Sequence, residues 1–381
     1  MKKELISIVV LLAFLTGCTP TPSQQKLTLS GLDPTRFEKM IDDTKPVKLY
    51  TLKNENGMEV CITNFGARIV SIMVPDKNGK MTDVVLGFDN IEDYINVPSD
   101  FGATIGRYAN RIGQGKITID GQEIQLPQNN YGHCLHGGPT GWHYQVFKAT
   151  KTDDKTIKLT VESPDGDNNF PGNVIASVTY TLTENNAIDI QYEATTDKKT
   201  IINMTNHAYF NLNGDPSAHS MNQVLYLASD SITPVDSTFM TNGEMMAVAG
   251  TPFDFNTPKV IEKDVTNFDN EQIKFGKGFD HNWVLRTKGD IKQVAAMLTS
   301  PTTGIILEVY TDEPGIQVYT GNFLDGTVKG KNGIVYPQRA SVCLETQHYP
   351  DSPNKTHWPS VILEPGKTYT SHCIFQFGVV K

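Results

Sequence analysis

Apolar and polar residues alternate one by one along most of this 381-residue chain, and long stretches with the period of a helix are scarce. The clearest alternating segments are residues 156–161, 187–194, 305–310 and 316–319. Alternation with a period of two is typical of half-buried strands, and turn signals such as Lys77-Asn78-Gly79 separate the segments. Because no helical crossovers lie between the strands, we expect antiparallel sheets packed face to face. The sequence therefore predicts an all-β protein, built as one large antiparallel β-sandwich.

The first 18 residues have the features of an export signal. Lys2 and Lys3 precede an apolar run from Leu5 to Leu15, which is too short to span a bilayer comfortably. Small residues then lead to Cys18, and residues 19–25 form a tether of Pro, Thr, Ser and Gln. The segment resembles a bacterial lipoprotein signal, in which the chain is cut before a cysteine that is then lipidated. The alternative, an N-terminal helix of the core, would not need such a tether.

The domain organisation follows from this segment. We expect a signal peptide over residues 1–17, a lipidated Cys18 with tether and N-terminal extension over residues 18–47, and one domain over residues 48–381, where no linker or fixed-period repeat is visible. The protein is then exported and lipid-anchored to a bacterial membrane, on the periplasmic or cell-surface side, with a monomer as the default state. The net charge of −9 argues against a nucleic-acid partner and against membrane binding through basic patches.

Short helices and free cysteines complete the structural prediction. The plausible helices cover residues 34–41, 90–94 and 261–265. Export permits disulfides, but four further cysteines in a chain of this size are no disulfide scaffold, and buried free thiols are the expected state while pairing stays open. No CxxC motif occurs, which weakens a zinc or redox interpretation. The four cysteines are Cys61, Cys134, Cys343 and Cys373.

Polar residues concentrate in four segments, residues 106–111, 129–138, 203–212 and 344–353. With two shorter segments around Asp280 and Gln317, they supply dense hydrogen-bond donors and acceptors, which suit a neutral polyol such as a sugar. A histidine that donates a proton and a glutamate that accepts one would form the acid and base needed to move two protons at once. The polar candidates are His136, His207, Asp280, Glu345, Asn110, Arg111 and Gln317, and the candidate aromatic surface is Trp142, Tyr209 and Phe210.

Each candidate also has a purely structural explanation. A single histidine beside a strand is commonly a hydrogen-bonded core residue, Arg111 can form a surface ion pair, and Glu345 can project from a solvated face. His133-x-x-His136 with Cys134 could ligate zinc, but no carboxylate accompanies it and HExxH is absent. Phosphate-binding loops and a GxSxG nucleophile elbow are absent as well, which argues against a nucleotide-binding protein and a serine hydrolase.

From about Lys48 to its end, the chain resembles the aldose 1-epimerase, or galactose mutarotase, family. The family fold is a large antiparallel β-sandwich with a sugar cleft, the galactose mutarotase-like supersandwich, which agrees with the predicted strands. Seven segments in family order carry the resemblance: residues 64–70 (NFGARIV), 106–112 (GRYANRI), 135–138 (LHGG), 165–172 (DGDNNFPG), 205–212 (TNHAYFNL), 279–281 (FDH) and 344–351 (LETQHYPD).

The resemblance implies an isomerase that interconverts the α and β anomers of free hexoses such as glucose and galactose, with residues 48–381 as its catalytic domain. It implies that His207 is the general acid for the ring oxygen and Glu345 the general base for the C1 hydroxyl, with His136 beside both atoms. A nearby negative charge would keep His207 protonated by raising its pKa. The implied hydroxyl ligands and cleft-lining residue are Asn110, Arg111, Asp280, Gln317 and Tyr209.

The reaction involves no redox step and no covalent intermediate, so no cofactor is required. Some family members carry Ca²⁺ as an accessory ion, and the loop Asp165-Gly166-Asp167 is a candidate for it here. Other functions stay open: a non-catalytic sugar-binding lipoprotein, a glycosidase or lyase on a similar β-sandwich, or an epimerase of phosphorylated hexoses, for which only Arg107 and Arg111 cluster. The sequence does not rank galactose above glucose, xylose or arabinose.

Overall fold

The computed structural model describes residues 26–380, so the predicted signal peptide and Cys18 lie outside the described residues. Strands dominate this part of the chain, and every pair of strands in its sheets is antiparallel. The predicted all-β class is confirmed. No helix within these residues has the length and apolar character needed to cross a membrane.

One layer is a nine-stranded sheet, which we call the large sheet. It begins with a meander of long neighbouring strands and continues through the C-terminal strand, which lies at its centre. Its strands, in spatial order, are Lys148–Lys151, Thr156–Ser163, Val174–Leu182, Ala187–Thr196, Thr368–Val379, Ile305–Thr311, Ala296–Thr299, Val224–Leu227 and Lys259–Val260.

The opposite layer consists of two sheets. The six-stranded one, called the site sheet, has the order Tyr209–Phe210, Val342–Gln347, Gly315–Tyr319, Asp280–Leu285, Ser229–Thr233 and Met246–Ala247. The four-stranded one has the order Leu49–Lys53, Glu59–Thr63, Arg68–Pro75 and Met81–Asp83.

The main core lies between the two layers. Val178 of the large sheet, Ile72 of the four-stranded sheet and Trp283 of the site sheet belong to one continuous cluster of buried apolar side chains. Across the layers, the rings of Phe210 and Phe375 meet edge to face with centroids 5.1 Å apart. Every second residue of a strand is apolar and points toward the other layer, so each layer has one buried apolar face. The two faces pack against each other and form the predicted sandwich.

The remaining elements are short. Two-residue to four-residue strands form five further pairs, and single 3₁₀ turns connect several strands. The pairs are Lys39–Ile41 with Lys45–Val47, Ala103–Ile105 with Thr205–His207, Arg111–Ile112 with Cys134–Leu135, Lys116–Ile119 with Gln122–Gln125, and Thr200–Ile201 with Ile362–Leu363. The 3₁₀ turns are Pro34–Phe37, Gly113–Gly115, Trp142–Tyr144, Asp167–Asn169, Ile261–Lys263, Lys331–Gly333 and Ser352–Asn354.

The α-helices of the described chain are Ile91–Asn96 and Glu271–Gly276, and only the first was predicted. The predicted helix over residues 34–41 is wrong beyond its first turn, because Lys39–Ile41 instead pairs with a neighbouring strand. An isolated helix of eight residues is marginal, whereas a paired strand satisfies the same backbone groups. The predicted segment 261–265 forms only the 3₁₀ turn Ile261–Lys263.

The N-terminal extension packs on the four-stranded sheet. Leu29 N donates to the buried carboxylate of Glu59 at 2.6 Å, the hydroxyls of Ser30 and Ser71 are 2.9 Å apart, and Phe37 is fully buried. The four cysteines of the described residues are all free and buried, as expected. The thiols therefore contribute to packing rather than to covalent cross-links.

A buried tyrosine links the large sheet to the strands that lead into the polar clusters. Tyr180 Oη donates to the carbonyl oxygen of Ala67 at 2.9 Å and lies 2.9 Å from Thr104 Oγ1. It also accepts a hydrogen bond from Asn206 Nδ2 at 3.1 Å. Since Asn206 immediately precedes His207, this hydroxyl helps to determine where that histidine lies.

We expect Tyr180→Phe to lower the free energy of unfolding by about 1–3 kcal/mol, because Asn206 and Thr104 lose a buried partner. Urea denaturation measures the change. Tyr50→Phe is the matched control, since Tyr50 is half-buried and its hydroxyl makes no hydrogen bond within residues 26–380. Equal stability of Tyr180→Phe and this control would contradict the role of the hydroxyl.

Candidate active site

Three predicted site residues lie on one face of the site sheet. Glu345 and Gln317 are directly opposite each other on neighbouring strands. Asp280 lies on the next strand, where its Oδ1 accepts a hydrogen bond of 2.7 Å from Gln317 Nε2. Their sequence neighbours Leu344 and Ile316 belong to the main core. Because successive side chains point to opposite faces of a sheet, burial of the apolar residues gathers the polar ones on the other face.

The strand Thr205–His207 carries His207 next to Glu345. Its Nε2 lies 3.5 Å from Glu345 Oε1, and its ring stacks on that of Tyr209 with centroids 4.9 Å apart. His207 and Glu345 are both buried, with 5% and 1% of their surfaces exposed. Two ionisable groups, one able to donate a proton and one able to accept a proton, thus lie side by side and shielded from water, an arrangement suited to acid–base catalysis.

Two hydrogen bonds connect His136 and Asn110. His136 N donates to Asn110 O, and Asn110 N donates to His136 Nδ1, both at 3.1 Å. Since Nδ1 accepts a hydrogen bond, the proton of the neutral ring resides on Nε2. Both residues have positive φ, 53° and 63°, which costs about 1–3 kcal/mol each. The next residue, Gly137, cannot be replaced by a residue with a side chain without strain, because a Cβ there would collide with the carbonyl oxygen of Gly106.

A cavity of about 260 Å³ opens in front of these residues. Its size is just below the usual range of ligand pockets, about 300–1,000 Å³, which suits a small ligand. The residues that line it are Asp100, Asn110, Arg111, Asn130, Tyr131, Leu135, His136, His207, Tyr209, Asp280, Tyr319, Phe323 and Glu345.

Three of the sequence candidates do not line this cavity. Gln317 is not among the lining residues and donates a hydrogen bond to the carboxylate of Asp280, which is. Trp142 and Phe210 belong to the main core, so the prediction that they face the ligand is wrong. Phe210 directly follows Tyr209 on a strand, and alternation turns it to the opposite face.

The sequence did not indicate several lining residues. Asn130 belongs to the polar segment 129–138 but was not itself named as a candidate. Its Oδ1 accepts a hydrogen bond of 3.0 Å from Arg111 Nε. Asp100 belonged to no motif, yet its carboxylate lies close to two site histidines. One carboxylate oxygen of Asp100 and one ring nitrogen each of His136 and His207 lie within 4.8 Å of one another. His143 Nε2 is also 3.9 Å from Asp100 Oδ1. Only the folded chain brings Asp100 to this position.

The three carboxylates of the site, Glu345, Asp280 and Asp100, differ in how readily they lose their protons. Burial raises the pKa of Glu345 well above its ordinary value, and the negative charges of Asp280 and Asp100 act in the same direction. Burial also raises the pKa of Asp280, although Arg111 opposes this. Burial alone would raise the pKa of Asp100, but nearby positive charges, those of the histidine rings when protonated and that of Arg68, outweigh burial and lower it. Asp100 is therefore the most readily ionised of the three.

The pKa of His207 is lowered, contrary to the sequence-based expectation. Burial is the main cause, and it outweighs the attraction of Asp100, which acts upward. Burial lowers the pKa of His136 as well, to well below its ordinary value. Desolvation disfavours the charged form of both rings, an effect that residue types alone did not reveal.

The donor atoms of the site are a poor match for calcium. The cluster of two imidazoles and one carboxylate does not match Ca²⁺, which prefers six to eight oxygen ligands. In the candidate loop, Asp165 accepts from Gly172 N and Asp167 from Ser163 Oγ, both at 2.5 Å. His133, which the sequence offered as a zinc ligand, has both ring nitrogens in hydrogen bonds, with Gln114 N and with Thr238 Oγ1.

Known proteins resemble this chain over most of its length. The sequence profile of the family described as aldose 1-epimerase matches residues 48–376. Galactose mutarotase of Mus musculus is 40% identical over 333 residues, 87% of this chain and 94% of that protein. Aldose 1-epimerase of Escherichia coli K12 is 39% identical over 337 residues, 88% of this chain and 96% of that protein.

Solved structures agree with these relatives. A GalM/aldose epimerase homologue from C. elegans superimposes with a TM-score of 0.82 at 31% identity and covers 88% of this chain and 100% of its own. Galactose 1-epimerase from Lactobacillus acidophilus has a TM-score of 0.79 at 30% identity, with 90% and 98% covered. The chain therefore belongs to the aldose 1-epimerase family and is an isomerase that interconverts the anomers of aldoses.

Proposed function

We propose that His207 and Glu345 are the general acid and general base of this reaction, acting on free hexoses such as glucose and galactose. The observation that carries the assignment is the distance of 3.5 Å between His207 Nε2 and Glu345 Oε1 at the floor of a cavity that suits a small ligand. Two protons must move during ring opening, and this pair offers one donor and one acceptor for them.

The proposed chemistry conserves protons. Glu345 accepts the proton of the C1 hydroxyl, His207 donates a proton to the ring oxygen, and the bond between C1 and that oxygen breaks as the C1 carbonyl forms. Rotation about the C1–C2 bond presents the other face of the aldehyde. The hydroxyl then attacks C1, returns its proton to His207, and the new C1 oxygen takes the proton back from Glu345. Both residues end in their starting state, so no cofactor takes part.

The reactive pair carries one proton, on His207. The same proton could instead reside on Glu345, which would leave both residues neutral. Burial favours this neutral form, because it lowers the pKa of His207 and raises that of Glu345. Interacting groups of this kind titrate together, with pKa values that belong to the pair. Activity is therefore expected to be lost when a second proton binds and when the single proton leaves.

The other lining residues are proposed to hold the sugar. His136 donates from Nε2 toward the ring oxygen or C1 oxygen, since its Nδ1 is occupied by Asn110 N. Asp280 accepts and Arg111 donates to ring hydroxyls, and Arg111 is fixed by Asn130 Oδ1 and by the face of Phe239, 4.8 Å away. Preorganised partners of this kind orient a polyol at low entropic cost.

A phosphorylated hexose is disfavoured as the substrate. Arg107, one of the two arginines that a phosphate pocket would need, instead donates to the backbone oxygens of Ser163, Pro164 and Pro171. It does not line the cavity. This leaves one arginine there, Arg111, in a site that already contains three carboxylates.

We also propose that the protein is exported, lipid-anchored through Cys18 and monomeric. The support for export and anchoring is the sequence of residues 1–25, with its basic start, short apolar run, cysteine and polar tether. The monomer is the default state. An accessory Ca²⁺ stays a prediction.

Glu345→Gln and His207→Asn are each expected to slow anomer exchange by about 10²–10⁴-fold, because each removes one proton-transfer group. Polarimetry of freshly dissolved α-glucose and α-galactose measures the rate. Glu193→Gln, which removes an exposed carboxylate from the large sheet, should keep the full rate. Near-normal catalysis by either site variant would refute the assignment, and release of new reducing ends from oligosaccharides would instead indicate a glycosidase.

Cys18→Ser should abolish membrane attachment in a bacterial host, since the serine cannot receive the thioether-linked lipid. Triton X-114 partitioning of cell extracts measures it: the unaltered chain should enter the detergent phase and the variant the aqueous phase. Cys61→Ser is the control, because Cys61 is buried and should not affect anchoring. Detergent partitioning of Cys18→Ser, or aqueous partitioning of the unaltered chain, would contradict the anchor.

A further inference from the structure

We propose that Asp100 is a positioning residue whose negative charge keeps the proton of the reactive pair on His207. The proposal rests on the roles proposed above for His207 and Glu345. It concerns a residue that no sequence motif indicated and that lines the cavity beside both site histidines.

The backbone around Asp100 is held by a buried arginine. Arg68 Nη2 donates to Ser99 O and Nη1 to Phe101 O, both at 3.0 Å, so the carbonyls on either side of Asp100 are fixed by one guanidinium. Asp100 O accepts a further bond of 3.0 Å from Ala103 N, at the start of the strand that pairs with Thr205–His207. Asp100 is therefore locked to the strand pair that carries His207.

The carboxylate of Asp100 faces imidazoles. One of its oxygens and one ring nitrogen each of His136 and His207 lie within 4.8 Å of one another, and His143 Nε2 is 3.9 Å from Oδ1. His136 and His143 are neutral at physiological pH, because burial lowers the pKa of His136 far and that of His143 to about 4. Of the three rings, His207 is thus the one whose protonation the catalytic cycle requires.

The remaining groups around His207 do not replace this charge. Glu345, at 3.5 Å, is the proton acceptor of the pair and is neutralised during ring opening. Arg68 is a cation and opposes protonation of His207. The rings of Tyr209 and Tyr319 pack against His207 without formal charge. Asp100 is the anion that persists through the whole cycle.

A fixed anion beside His207 shifts the proton within the pair. Among the charged neighbours of His207, Asp100 has the largest effect and raises its pKa, whereas at Glu345 Asp280 has a larger effect than Asp100. An oxygen of Asp100 belongs with a ring nitrogen of His207 to a cluster of side-chain atoms within 4.8 Å that does not include Glu345. Because electrostatic attraction weakens with distance, the charge of Asp100 favours His207 over Glu345 as the site of the shared proton. It partly offsets the desolvation that works against the reactive form.

Asp100→Asn keeps the shape and removes the charge. We expect lower pKa values for both members of the pair, so both limbs of the pH profile of kcat move to lower pH. In the NMR titration of the free enzyme, the His207 ring should protonate at lower pH than in the unaltered protein. Above that pKa, kcat should fall about tenfold for each pKa unit lost, with KM changing less than kcat.

Two variants control the interpretation. Asp93→Asn removes an equal charge from the nearby helix Ile91–Asn96 without touching the histidines, and should leave the profile unchanged. Asp100→Glu retains the charge and should preserve both limbs of the profile. It also serves as the test if Asp100→Asn fails to fold, because a profile displaced in Asp100→Glu would then count against the proposal.

An unchanged His207 titration and pH profile in folded Asp100→Asn would overturn the proposal, as would a loss confined to KM, which would make Asp100 a sugar ligand. The titration needs no turnover, so it is independent of the assigned reaction roles. If His207→Asn and Glu345→Gln kept full activity, the proposed roles would fail even where the titration confirmed the influence of Asp100 on His207.

Discussion

Alternation of side chains along the strands of the site sheet is the constraint on which the rest of the site depends. Leu344 and Ile316 enter the main core, and for that reason Glu345 and Gln317 emerge on the opposite face. One strand backbone thus separates the apolar contacts that hold the two layers together from the polar side chains of the site. A register shift of one residue would exchange them. The large apolar core thereby protects the register of a polar site.

Burial of the proposed acid–base pair, His207 and Glu345, has two opposed effects. It excludes water from proton transfer and strengthens each electrostatic interaction, but it also disfavours the charged forms that start the reaction. His207 and Glu345 are both displaced toward neutrality. An ionised carboxylate at Asp100, fixed through the contacts of Arg68, provides a compensating charge. The proton balance of the site is therefore set by several chain segments together.

Much of the site could be predicted because its residues lie in compact segments with a resemblance to a known family. His207, Glu345, His136 and Arg111 were identified in this way, and the structure brings them to one cavity. Phe210 was misplaced, because a residue list does not say which face of a short strand is buried. The all-β class was predictable from periodicity, whereas only one of the two α-helices of the described residues was predicted, since a few residues carry a weak signal.

The sequence by itself determined the strand character and the sandwich, since each depends on patterns within a few consecutive residues. Its resemblance to a known family implied which residues are proposed to transfer protons. Only the tertiary structure decided the charge state of the site. The pKa of His207 depends on desolvation and on Asp100, which lies far from it in the chain and reaches it through the contacts of Arg68 and the pairing of two short strands. Electrostatic energies depend on distance and burial in space, and neither is written in local sequence.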